Sequence, residues 1–111
     1  MSELTAKRCK PCEGGVAPLD RNAAEKMRDQ IHEDWQLSDD ATAIIRRFRF
    51  ANYYQTMAFV NAVAWIAHQD DHHPDLMVAY SRCEVTYSTH AIGGLSENDF
   101  ICAAKVDALL C

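Results

Sequence analysis

The sequence has no apolar run near the roughly 18 residues that a membrane-crossing helix needs. Its start, Met1-Ser2-Glu3-Leu4-Thr5-Ala6-Lys7-Arg8, lacks the apolar stretch of a secretory signal. The expected location is therefore the cytoplasm, with no membrane partner. Neither G-x-G-x-x-G nor G-x-x-x-x-G-K-[ST] occurs, so the two common backbone cradles for nucleotide phosphates are missing. Basic charge is also short. Eleven Lys and Arg face sixteen Asp and Glu, a formal net charge of −5. That balance argues against direct nucleic-acid binding, which rests on neutralising phosphates. The five cysteines, Cys9, Cys12, Cys83, Cys102 and Cys111, are odd in number and irregular in spacing, unlike a disulfide framework. They fit a reducing compartment.

What remains is one small globular domain. A chain of 111 residues buries roughly two-thirds of its unfolded surface, enough for a core without disulfides. It has no room for a two-domain dinucleotide-binding enzyme. Any active site must come from few side chains, and association of subunits is a natural way to enlarge the core.

Residues 1–19 hold Cys9, Cys12, Pro11, Pro18 and Gly14-Gly15 and read as an irregular arm or cap. Residues 20–111 form the expected domain. Asp20 can cap a helix over Arg21–His32, with Ala24, Met27 and Ile31 on its inner face. Trp35-Gln36-Leu37, the turn residues Ser38-Asp39-Asp40, and Ala43–Phe50 predict a hairpin. Ile44, Phe48 and Phe50 share one parity, and Arg46, Arg47 and Arg49 read as a solvated face. Asn52 can cap a long helix to about Gln69, with Phe59, Val63 and Ile66 on one face and Trp65 also read as core. So apolar a circumference predicts burial on more than one side, one side against a second subunit. Pro74 disfavours helical geometry at His73 and places His72-His73 on the exit turn. Leu76–Tyr80 and Cys83–Ser88 predict a second hairpin. Ser96, with Asp99 three residues on, starts a last helix to about Leu110, with Ile101, Ala104, Ala108 and Leu109 inward. The predicted fold is α+β: order α-β-β-α-β-β-α, a four-stranded antiparallel sheet with helices on one face.

Four of the five histidines lie between positions 68 and 90. His90 follows a hairpin that returns the chain toward His72 and His73. Imidazole is the side chain suited to moving protons near neutral pH, and three in one pocket supply both acid and base. The bland alternative is a His-His pair that caps a helix end. His68-x-x-x-His72 has the spacing of a zinc-protease motif, but Gln69 stands where the catalytic glutamate belongs. Cys9-x-x-Cys12 is a single pair, and structural zinc takes four ligands. No metal is expected, and the cysteine pair reads as inert or incidentally redox-sensitive. Trp35, near the start of a strand, is a candidate pocket wall or stacking residue. Asp99 reads locally as a first-turn helix acid.

Asp71-His72-His73-Pro74-Asp75, Tyr80, Ser88-Thr89-His90 and Gly94-Leu95-Ser96-x-x-Asp99 together resemble the pterin-4a-carbinolamine dehydratase family. Phe48-x-Phe50, the long helix and Trp35 extend the likeness over residues 20–110. The resemblance implies a four-stranded antiparallel sheet backed by helices, in dimers or tetramers. It implies dehydration of 4a-hydroxytetrahydropterin to quinonoid dihydropterin, which recycles the cofactor of aromatic amino acid hydroxylases. In animals the family also binds a homeodomain transcription factor, so a dimerisation or coactivator module without turnover is the alternative. By the same resemblance His72, His73 and His90 are active-site histidines. Asp71 lies in the substrate loop, Ser88 and Thr89 line the pterin pocket, and Asp99, a nearby acid, is counted with them and Trp35 among the substrate-binding residues. His68, Leu76 and Ala91 depart from the common glutamate, tryptophan and animal glutamate. Cys9-x-x-Cys12-Glu13-Gly14-Gly15 resembles the start of bacterial members. The reaction expels hydroxide from C4a and removes a proton from N5. It needs proton-transfer groups but no cofactor.

Overall fold

The computed structural model describes residues 3–10 and 17–110; Cys12, Gly14-Gly15 and Cys111 lie outside them. Helix α1 spans Arg21–Arg28, and the Asp20 side chain accepts the Ala23 amide at 2.8 Å as its cap. It stops four residues short of the predicted His32. The reason is tertiary: the His32 amide donates to Asp107 Oδ2 at 3.0 Å, which draws the chain off the helix axis toward the C-terminal helix.

Strand β1 (Gln36–Leu37) pairs with β2 (Ile44–Arg49) across a turn in which Ala41 is left-handed (φ 58°). Ser38 Oγ accepts the amides of Thr42 and Ala43 and donates to Asp40, so short polar side chains supply the hydrogen bonds the backbone lacks there. Helix α2 (Tyr53–Asp70) starts at Asn52, whose side chain accepts the Gln55 amide at 2.9 Å. Strands β3 (Asp75–Val78) and β4 (Arg82–Tyr87) form the second hairpin. The sheet order is β1-β2-β4-β3, antiparallel throughout, with Ile44 opposite Tyr87 and Phe48 opposite Cys83. Helix α3 (Glu97–Ala108) opens with the predicted capping box between Ser96 and Asp99.

The core lies between one sheet face and the helices. Ile44, Phe48, Val85 and Tyr87 meet Phe59 and Val63 of α2 and Phe100 and Ile101 of α3, all buried. The α+β class and the element order stand as expected. Four local expectations change. Arg46 shares the parity of Ile44 and Phe48, so it points inward rather than into solvent; its guanidinium lies over the Phe48 ring and pairs with Asp107 at 2.7 Å. Trp65 is 60% exposed, because the buried stripe of α2 runs through Thr56, Phe59, Val63 and Ile66 and leaves Trp65 on the other side. Ala108 and Leu109, at the end of α3, are exposed. The arm, finally, has a packed part: a 3₁₀ turn over Glu3–Ala6 places Leu4 in the core at 1% exposure.

Candidate active site

The long helix ends where Asp71 takes a left-handed conformation (φ 49°, ψ 45°). Aspartate tolerates that geometry better than most residues. The reversal lets the His72 amide bond back to the Ala67 carbonyl at 3.1 Å, and Pro74 then starts the path into β3. A second turn delivers His90. Thr89 and Gly94 pair across a short 3₁₀ turn, His90–Ile92, which Gly93 closes in a left-handed conformation (φ 69°). The two turns lie at the same end of the sheet, since Asp75 of β3 is opposite Thr86 of β4.

Between them is a cavity of about 380 Å³, lined by Asp71, His72, His73, Ser88, Thr89 and His90. Six of the eight candidate site residues therefore converge. His73 and His90 are exposed at its surface; the His72 side chain is 12% exposed. The His72 ring is fixed on two sides. Nε2 is 2.6 Å from Asp99 Oδ1. The Tyr87 ring lies parallel, with 6° between planes and 6.0 Å between centroids. Asp99 is itself fully buried; its other oxygen accepts from Thr89 Oγ1 at 2.8 Å and from the Ser96 amide at 3.0 Å. Burial opposes a charge on His72, but the hydrogen bond and negative charge of Asp99 outweigh it and raise its pKa above the ordinary 6.5. The site thus holds one imidazole biased toward the charged form and two others open to a ligand.

Two expectations need correction. Trp35 is neither a pocket wall nor a stacking surface for a ligand: it is 0% exposed, packed on Phe48 and Tyr87, with Nε1 donating to Asp107 Oδ1 at 2.8 Å. An indole this large, just ahead of a short strand and turned inward, is worth more in the core than at a rim. Asp99 does not line the cavity; it stands behind His72 and touches it. His68 and His72, despite their i, i+4 spacing, do not converge: His68 packs on Trp65 at 5.4 Å. Among the described residues, no three His, Cys, Asp or Glu side chains gather as metal ligands do. The cavity also has lining residues that motif reading missed: Cys9, Lys10, Asp70 and Asn98. Asp70 is buried and bonded to Lys105 at 2.8 Å and to the Cys9 amide at 3.0 Å. Burial raises its pKa, but Lys105, the Cys9 amide and Arg8 more than reverse this and leave it lowered. No sequence spacing links these residues.

The profile of the Pterin 4 alpha carbinolamine dehydratase family matches residues 17–109. The chain belongs to this family. A Nitrosomonas eutropha protein grouped with the pterin-4-alpha-carbinolamine dehydratases is 65% identical over 108 residues, 97% of this chain and 94% of its own. A Brucella melitensis crystal structure, described as a transcriptional coactivator/pterin dehydratase, superposes with a TM-score of 0.78 at 32% identity, covering 83% of this chain and 97% of that one. A pterin dehydratase-like protein, described as a RuBisCO assembly factor in the alpha-carboxysome, gives a TM-score of 0.61 at 28% identity. That match covers 70% of this chain and 90% of the other. No helix among the described residues is long and apolar enough to cross a membrane.

Proposed function

We propose that this protein is a hydro-lyase that dehydrates 4a-hydroxytetrahydropterin to quinonoid dihydropterin by histidine acid/base catalysis. The observation that carries the reading is the meeting of His72, His73 and His90, from the exits of α2 and β4, in one cavity of a chain that belongs to this family. The pterin ring is the substrate and no cofactor takes part. Loss of hydroxide from C4a needs a general acid, because hydroxide is a poor leaving group; the N5 electron pair pushes it out, and a base takes the N5 proton.

His73 and His90 are the groups free to exchange protons with the bound ring. His72, with Nε2 held by Asp99 and its pKa raised, favours positive charge at the cavity wall. Asp71, Ser88 and Thr89 bind and orient the ring. Asp99 acts through His72 as a positioning residue. The reaction's place is the recycling of tetrahydropterin for an aromatic amino acid hydroxylase. Self-association as a dimer or tetramer covers the exposed side of α2, where Tyr54 and Trp65 stand in solvent in the single chain.

A coupled assay with a pterin-dependent hydroxylase tests the reading. The carbinolamine should decay faster when the protein is added, and an unchanged rate would overturn it. Replacing His73 and His90 together by alanine should remove about 100-fold or more of the acceleration. Sedimentation velocity reads the oligomeric state.

A further inference from the structure

Two cysteines from opposite ends of the chain stand side by side at the cavity wall. Cys9 follows the 3₁₀ turn Glu3–Ala6 and Cys102 lies in α3; their sulfurs are 3.4 Å apart. The segment carrying Cys9 is anchored on both sides of that contact. The Cys9 amide donates to Asp70, and the Lys10 amide donates to Asn98 Oδ1, both at 3.0 Å, while Asn98 Nδ2 donates to the Lys10 carbonyl at 2.6 Å.

The pair is asymmetric. Cys9 is half-buried and lines the cavity, whereas Cys102 is fully buried behind it. The hydrogen bond with Cys102 favours the Cys9 thiolate; with His72 and Lys105 helping, it outweighs burial and Asp70 and lowers the Cys9 pKa. The same hydrogen bond and burial hold Cys102 as the neutral thiol. The reachable sulfur is thus the reactive one.

We propose that Cys9 and Cys102 are a redox pair that closes to a reversible disulfide under hydroperoxide, with Cys9 attacking and Cys102 resolving. The Cys9 thiolate attacks one peroxide oxygen and the O–O bond breaks. Cys9 becomes a sulfenic acid, and the other oxygen leaves as hydroxide and takes a proton to form water. Cys102 sulfur then attacks the Cys9 sulfur; the S–O bond breaks, and the thiol proton leaves with the oxygen as a second water. Two thiols lose two electrons and the peroxide gains them. The sulfurs must approach by about 1.4 Å to reach bonding distance. The bond ties the wall formed by Cys9 and Lys10 to the helix that carries Asp99. Added dithiol reverses it by exchange. This chemistry involves the thiols alone and does not rest on the dehydratase reading.

The test uses the reduced full-length protein and one equivalent of hydrogen peroxide. Remaining thiols are then alkylated, and tandem mass spectra of a non-reduced digest locate the linkage. The expected product is a Cys9–Cys102 cross-link, lost on adding dithiothreitol, with a higher thermal midpoint for the oxidised protein. In Cys102→Ser, Cys9 should be trapped by dimedone as the sulfenic acid; in Cys9→Ser, Cys102 should stay reduced. A dominant Cys9–Cys12 linkage, or a Cys9 that stays unmodified while free glutathione in a parallel tube is oxidised, would overturn the proposal. The wild-type mapping decides this even if a variant folds poorly.

Discussion

Asp99 and Asp107 sit near the two ends of α3, and each accepts from a ring nitrogen, from a second side chain and from a backbone amide. Asp99 takes His72 Nε2, Thr89 Oγ1 and the Ser96 amide. Asp107 takes Trp35 Nε1, Arg46 Nη1 and the His32 amide. The difference lies in the cation. A guanidinium keeps its charge at any ordinary pH, and Arg46 is largely buried with its guanidinium over the Phe48 ring, so Asp107 is a clamp. An imidazole can release its proton, and His72 faces a cavity, so the same kind of carboxylate sets a protonation state. One acid fastens the core and the other tunes a site.

The largest expected effect comes from breaking the clamp. Asp107→Ala leaves the Arg46 guanidinium buried without its partner, with side-chain exposure of only 12%. It should cost about 3–5 kcal/mol in urea unfolding. Turnover per folded molecule should stay unchanged; a selective loss of kcat would collapse the contrast between the two acids. Asp99→Asn keeps the shape but removes the charge. It should lower kcat about 100-fold and stability by only about 1–3 kcal/mol. The NMR titration of His72 should move down; an unmoved His72 would break the comparison from the other side.

The pH dependence of stability sharpens it further. Because the folded pKa of His72 is raised, the pair with Asp99 stabilises fully below the unfolded value of 6.5, and that contribution fades as pH rises through the folded pKa. Unfolding midpoints measured from pH 6 to pH 9 should show this loss in wild type and in a mild clamp variant such as Trp35→Phe. The loss should be smaller in Asp99→Asn, where burial acts on the His72 ring without its carboxylate partner. The smallest shift in the His72 titration is expected for Thr89→Val, which removes one charge-assisted hydrogen bond to Asp99, about 1.5 kcal/mol. If that shift exceeds the one in Asp99→Asn, Thr89 rather than the carboxylate governs the ring.

Much of this was legible residue by residue. Asn52 and Asp20 cap helices as their side chains predict, and Ser96 and Asp99 form the expected box, because caps depend on neighbours three residues away. Parity along β2 already set Arg46 beside Ile44 and Phe48; grouping it by charge with Arg47 and Arg49 concealed this. Trp65 illustrates the opposite limit. Composition marks it as core, yet in the single chain the helix turns it outward. The second role of Asp99, its hold on His72 across 27 positions, has no local signature.

The sequence by itself determined the order of elements, the caps, the turns, and the two short motifs that end in His73 and His90. These follow from backbone geometry and hydrogen bonds between near neighbours. Only the tertiary structure decided that Asp99 lies behind His72, that Trp35 serves the core and not the pocket, and that Cys9 meets Cys102. Those pairings arise when one sheet face and three helices exclude water together, and buried polar groups must then find partners wherever packing has brought them.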